Sequence, residues 1–113
     1  MCRFPGRQPF HFSFGHAVMC GSGGTLVELL HDVALRLAPV TPGGVAGMLS
    51  ELRGTRLLRG FRGAAPLDEA ALADTVLRVS ELVGLCPEIV ELDLNPVIVT
   101  THGAIVVDAR IRL

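Results

Sequence analysis

Two stretches decide the fold of this chain: Glu91-Leu92-Asp93-Leu94-Asn95-Pro96-Val97-Ile98-Val99 and, a short gap later, Val107-Asp108-Ala109-Arg110-Ile111-Arg112-Leu113. In the first, polar and apolar residues alternate, the pattern of a strand with one wet face, so Glu91, Asp93 and Asn95 share that face. Residues 92–99 and 104–111 read as two strands joined by Thr100-Thr101-His102-Gly103. A loop centred between Thr101 and His102 sets Glu91 opposite Arg112, Asp93 opposite Arg110, and Asn95 opposite Asp108. The first two pairs are opposite charges, as in ordinary cross-strand ion pairs. The third pair has no cation. Asn95 and Asp108 read in two ways: as a small oxygen-only site of the kind Mg²⁺ takes through one or two protein groups with phosphate and water completing the shell, or as two solvated groups on an open sheet face.

Upstream of the hairpin, the spacing predicts a helix over 67–83. Asp68 caps it, Leu72, Val76, Val79 and either Leu82 or Val83 form its buried stripe, and Gly84 with Pro87 ends it. A weaker helix is predicted over 45–52 from Val45, Met48, Leu49 and Leu52, with Gly43, Gly44 and Gly47 counting against it. Residues 17–20 read as a strand. Residues 25–30 and 33–38 fit a helical stripe through Leu26, Leu29, Leu30, Val33 and Leu37, but the alternation of Val33, Leu35 and Leu37 with Ala34, Arg36 and Ala38 favours strands with His31-Asp32 as a turn, a reading that the resemblance described below also favours. The cluster Gly21-Ser22-Gly23-Gly24 is either a backbone cradle for an anion or a tight connection. It is not a Walker loop, because no Gly-Lys-Ser/Thr follows. Arg53, Arg56, Arg59 and Arg62 recur at every third position, as a basic segment that meets phosphate or as a solvated loop. His11, His16, His31 and His102 show no ligand spacing.

The closing hairpin closely resembles the C-terminal end of the ATP-grasp subunit of ADP-forming acyl-CoA synthetases, relatives of succinyl-CoA synthetase. Further similar residues follow in order upstream: Phe14-Gly15, Val18-Met19, Gly21-Ser22-Gly23-Gly24, Glu28, Asp32-Val33-Ala34, Arg36-Leu37-Ala38-Pro39, Leu57-Leu58, Gly60-Phe61-Arg62-Gly63 and Asp68. The chain departs from that family in having His11-Phe12 where Asp-Pro is usual, and His16 where Pro is usual. The resemblance implies an α/β (α+β) fold that forms the C-terminal part of an ATP-grasp domain over 13–113, a mainly antiparallel sheet packed with helices, with residues 1–12 unassigned. It implies Mg²⁺ and ATP/ADP as cofactors, with Asn95 and Asp108 on the metal. Gly21, Gly23, Gly24, Glu28 and Arg62 would lie toward the nucleotide phosphates, supported by Glu91, Asp93 and Arg110.

The implied reaction interconverts acid, CoA and ATP with acyl-CoA, ADP and phosphate. The implied partners are an N-terminal ATP-grasp half, which carries the lysine and the adenine-holding residues, and CoA-binding and ligase domains. On that reading the crowded Phe4, Phe10, Phe12 and Phe14 pack against the N-terminal half. The alternative is a non-catalytic, ligand-sensing or scaffold module fused to or partnering an acetyltransferase.

Composition agrees with one modest domain and one core: 113 residues, 50% hydrophobic, net charge −1. Near-neutrality argues against a nucleic-acid surface. The apolar runs are too short to span a membrane, and no secretory signal is expected at the N-terminus. Cys2, Cys20 and Cys86 form no Cys-x-x-Cys pair and signal neither zinc nor a disulfide framework, which fits a cytoplasmic setting.

Overall fold

The computed structural model describes residues 7–22, 32–60 and 65–113. Among these, six strands form one antiparallel sheet: β1 (Gln8–Phe14), β2 (Ala17–Ser22), β3 (Val33–Leu37), β4 (Glu91–Thr100), β5 (Gly103–Val106) and β6 (Ala109–Arg112). The order is β3-β2-β1-β4-β5, with β6 continuing along β4 beyond β5. Three helices lie among the described residues: α1 (Pro42–Glu51), α2 (Thr55–Leu58) and α3 (Glu69–Leu85). No helix among the described residues is long and apolar enough to cross a membrane.

β1 is the centre of the sheet, paired to β2 on one side and β4 on the other. Its alternation sends Phe10, Phe12 and Phe14 to the helix side, where they are 0%, 1% and 1% exposed. This corrects the expectation that these rings await a segment outside the chain: three of the four fill its own core, and Phe4 lies outside the described residues. β1 also begins at Gln8, inside the stretch that sequence alone leaves unassigned.

The hairpin register is the expected one. Glu91 faces Arg112, Asp93 faces Arg110 and Val99 faces Ala104. β5 and β6 separate at Val107 and Asp108, opposite Asn95 and Pro96. There the Asn95 N–H donates to the Asp108 carbonyl at 3.1 Å and the Val107 N–H to the Pro96 carbonyl at 3.0 Å, while Pro96 has no N–H to return.

The helices cover one face. α1 starts earlier than its apolar spacing predicts, because Thr41 caps it, accepting from the Gly44 N–H at 3.0 Å, and Pro42 sits in the first turn, where its missing donor costs nothing. Asp68 caps α3, accepting from the Ala71 N–H at 3.0 Å. The buried positions of α3 are Leu72, Val76 and Ser80, with Val79 and Val83 partly covered. Of the two alternatives for the last turn, Val83 is the inward one, since Leu82 is 43% exposed. Gly84 does not end the helix, which runs through Leu85 and stops at Cys86, before Pro87. Ser80 earns its burial by accepting from the Val40 N–H at 3.3 Å, tying α3 to the approach to α1.

Residues 33–37 form a strand as expected, but the expected strand over 25–30 lies outside the described residues, as do Gly23, Gly24, Glu28 and Arg62. Arg59 is committed to Glu69 by a two-pronged contact, both arms at 2.9 Å, so this member of the arginine series is structural. Cys20 is a free core thiol, and burial pushes its pKa far above the ordinary range, which makes it inert.

One buried carboxylate stands out. Asp32 is 6% exposed and accepts from the Arg53 N–H at 2.7 Å, the Gly54 N–H at 2.9 Å and the Ser22 hydroxyl. Burial pushes its carboxyl up, but the Ser22 hydroxyl, the two amides and the Arg53 charge together outweigh that and hold it below the usual carboxylate range. The folded state therefore releases the proton more readily than the unfolded chain. Asp32's stabilisation is complete above the unfolded carboxyl value of about 3.9 and is lost as pH falls through the lower folded value. Urea midpoints measured from pH 7 down to pH 3 should show wild type losing its advantage over Asp32→Asn below about pH 4. A gap that stays constant across that range contradicts this account.

Candidate nucleotide and metal site

The side of the sheet away from the helices carries the polar residues. β1 sends His11 and Ser13 there, between the three buried phenylalanines. From β4 come Glu91 and Asp93, from the following strand Arg110 and Arg112, and from the break between β5 and β6 comes Asp108. A cleft of about 410 Å³ lies among His11, Phe12, Ser13, Met19, Asp93, Asn95, Asp108 and Arg110. Asn95, Asp108, Asp93 and Arg110 are thus brought together as expected.

The position of Asn95 depends on a bulge. Phe10 pairs with Val97 and Phe12 with Leu94, so the single residue His11 lies opposite two, Asn95 and Pro96. An extra residue on one strand bends it and re-aims its side chains. Its trace is visible in the burial of β4: Leu92 and Leu94 point to the core, then Val97 and Val99 do, and the alternation slips by one at the bulge. Asn95 is left exposed beside the cleft.

The supporting charges behave unequally. Arg112 and Glu91 form an ion pair at 3.1 Å, and the Ser13 hydroxyl also reaches Glu91 at 3.4 Å. Both charged side chains are well exposed, so screening limits the pair to well under 1 kcal/mol. Asp93 and Arg110 face each other in register, but among the described residues no ion pair closes between them. This corrects the expectation of two matched bridges and leaves both groups lining the cleft.

Gly21 has a role that spacing does not reveal. It pairs with His11, and a Cβ placed on it would lie 2.6 Å from Cε1 and 2.7 Å from Nε2 of the imidazole. The absent side chain therefore lets the His11 ring lie against β2. His11, Ser13 and Met19 are the site residues that sequence reasoning missed. The signal was the phenylalanine alternation, which places His11 and Ser13 on the opposite face once β1 is read as a strand.

The donor set fits a hard divalent cation. Asn95 and Asp108 offer oxygens, with Asp93 nearby. Among the described residues no group of three or more His, Cys, Asp or Glu side chains could hold a metal by itself. One carboxylate with one amide oxygen suits Mg²⁺, which usually keeps water and phosphate in its shell.

The model of the ATP-grasp domain matches residues 11–113. The beta subunit of an ADP-forming acetate–CoA ligase from Pyrococcus furiosus is 45% identical over 100 residues, covering 88% of this chain and 43% of that subunit. An ADP-forming acetate–CoA ligase from Archaeoglobus fulgidus is 48% identical over 100 residues, covering 88% of this chain and 15% of that protein. The chain thus spans less than half the length of these curated relatives. An acetyl-coenzyme A synthetase of Ca. Korarchaeum cryptofilum, solved with coenzyme A and Mg-AMPPCP, superposes with a TM-score of 0.86 at 38% identity, covering 98% of this chain and 55% of that one. With the family match running from β1 to the last residue and the fold shared at this identity, the chain belongs to the ATP-grasp domain family.

Proposed function

We propose that this chain supplies the C-terminal part of the ATP-grasp domain of an ADP-forming acyl-CoA synthetase, in which Asn95 and Asp108 hold the Mg²⁺ of the bound nucleotide. The observation that carries the reading is the cleft itself: an amide on β4 and a carboxylate in the break between β5 and β6, joined by the Asn95–Asp108 backbone hydrogen bond and displayed by a bulge on the face away from the described helices. The relatives support the reaction class, acid with CoA and ATP giving acyl-CoA, ADP and phosphate.

Asn95 and Asp108 would hold the Mg²⁺, which would supply charge neutralisation at the phosphates during phosphoryl transfer. Asp108 brings the negative charge that the cation needs, and Asn95 adds a neutral oxygen without building up repulsion between carboxylates. Arg110, not held by Asp93, presents a guanidinium to phosphate oxygens. Glu91 is held by Arg112 and stabilises the end of the hairpin. Residues that hold adenine, and the CoA-binding and ligase domains, belong to other parts of the assembled enzyme. An apolar margin fits such a neighbour: on β3, the outermost strand among the described residues, Leu35 is 59% and Leu37 82% exposed.

A calorimetric titration with Mg²⁺-ADP tests this directly. The complete synthetase carrying this chain should bind, and its Asn95→Ala, Asp108→Ala double variant should lose about tenfold or more in affinity, the worth of roughly one charge-assisted contact. Equal affinity in the two proteins rejects the assignment of these residues.

A further inference from the structure

We propose that Asp32 is a positioning residue for the nucleotide site, acting across the sheet through Ser22, Gly21 and His11; this rests on the functional reading above. Asp32 lies on the helix side and touches nothing in the cleft. What it does is gather three segments. Its carboxylate takes the Ser22 hydroxyl from the end of β2, and the Arg53 and Gly54 amides from the corner between α1 and α2. Its backbone carbonyl also accepts the Ser22 N–H at 3.3 Å. The fit is tight enough to need a glycine: a Cβ on Gly54 would lie 2.4 Å from Cβ of Ser22 and 3.5 Å from Oδ2 of Asp32.

A buried carboxylate is costly to desolvate, and a fully bonded polar network of this kind specifies one arrangement of the groups it joins. The arrangement specified here is the height and tilt of the last residues of β2. Ser22 points toward the helices, so its neighbour Gly21 presents its bare backbone to the opposite face, where the His11 imidazole rests on it. His11 is the residue opposite the bulge, between Gly21 on one strand and Asn95-Pro96 on the other. If the end of β2 moves, the ring that walls the cleft beside Asn95 and Asp108 moves with it. Small displacements of positioning groups are expensive in affinity and rate.

The test is made in the complete synthetase carrying this chain, at a temperature where circular dichroism shows every variant folded. Asp32→Asn should raise the KM for ADP by about tenfold, within the range by which substitutions remote from a ligand alter its binding, with a smaller change in kcat. The same substitution in a His11→Ala background should raise KM by less than about twofold, because the group through which it acts is already gone. Ser22→Ala, which removes one donor and leaves the charge, takes the place of Asp32→Asn should that variant fail to fold. A lowered melting temperature with unchanged KM overturns the proposal and leaves Asp32 a structural residue. An effect of the same size with and without His11 overturns the route. Asp108→Asn is run in parallel: if it also leaves KM and turnover unchanged, the nucleotide reading itself fails and the positioning role falls with it.

Discussion

Asp108→Asn should lower the turnover of the complete synthetase by about a hundredfold or more at saturating Mg²⁺, the scale lost when one preorganised electrostatic contact to a transition state is removed. The substitution is nearly isosteric. It deletes the negative charge from the group opposite Asn95 and leaves the Asn95–Asp108 backbone bond, at 3.1 Å, in place. The side chain is exposed and belongs to no ion pair among the described residues, so stability should change by no more than about 0.5 kcal/mol. Function and folding are thus separated in one variant. Steady-state rates with and without the substitution, beside urea unfolding of the same preparations, decide the matter: an unchanged rate at saturating Mg²⁺ removes Asp108 from the site.

Phe12→Ala should do the reverse, destabilising the chain by about 3–5 kcal/mol. Phe12 is 1% exposed, pairs with Cys20 on one strand and Leu94 on the other, and stacks near Phe14 with ring centroids 6.2 Å apart. A loss of that size is a large share of the roughly 5–15 kcal/mol that holds a typical domain together. Urea unfolding of the purified chain measures it. If the N-terminal phenylalanines instead served a neighbour, the isolated chain would lose less than about 1 kcal/mol, the loss typical of an average substitution.

The parts of the fold written in short-range periodicity were legible. α3 follows from an apolar stripe and an Asp68 cap, and the hairpin register follows from alternation and a short loop, because both depend on residues close in sequence. The same register carried the candidate site, since Asn95 and Asp108 face each other through local geometry alone. β1 was written in equally plain alternation. Its phenylalanines were misread because period two says which residues share a face, and says nothing of what covers that face. Glu91–Arg112 and Asp93–Arg110 make the same point on a smaller scale: both pairs are in register and only one closes, since a register fixes Cα positions and leaves side-chain rotamers to their surroundings.

By itself, then, the sequence determined the hairpin, the long helix, the family and the residues that face one another at the candidate site. The tertiary structure alone decided three things. One is that the phenylalanines belong to this chain's own core. A second is that His11 joins the site across a bulge, which exists only as a mismatch between β1 and β4, strands far apart in the chain. The third is that Asp32 binds groups 10, 21 and 22 residues away. Each depends on contacts between distant segments, and those are settled by how the sheet and helices bury apolar surface together, which no local pattern encodes.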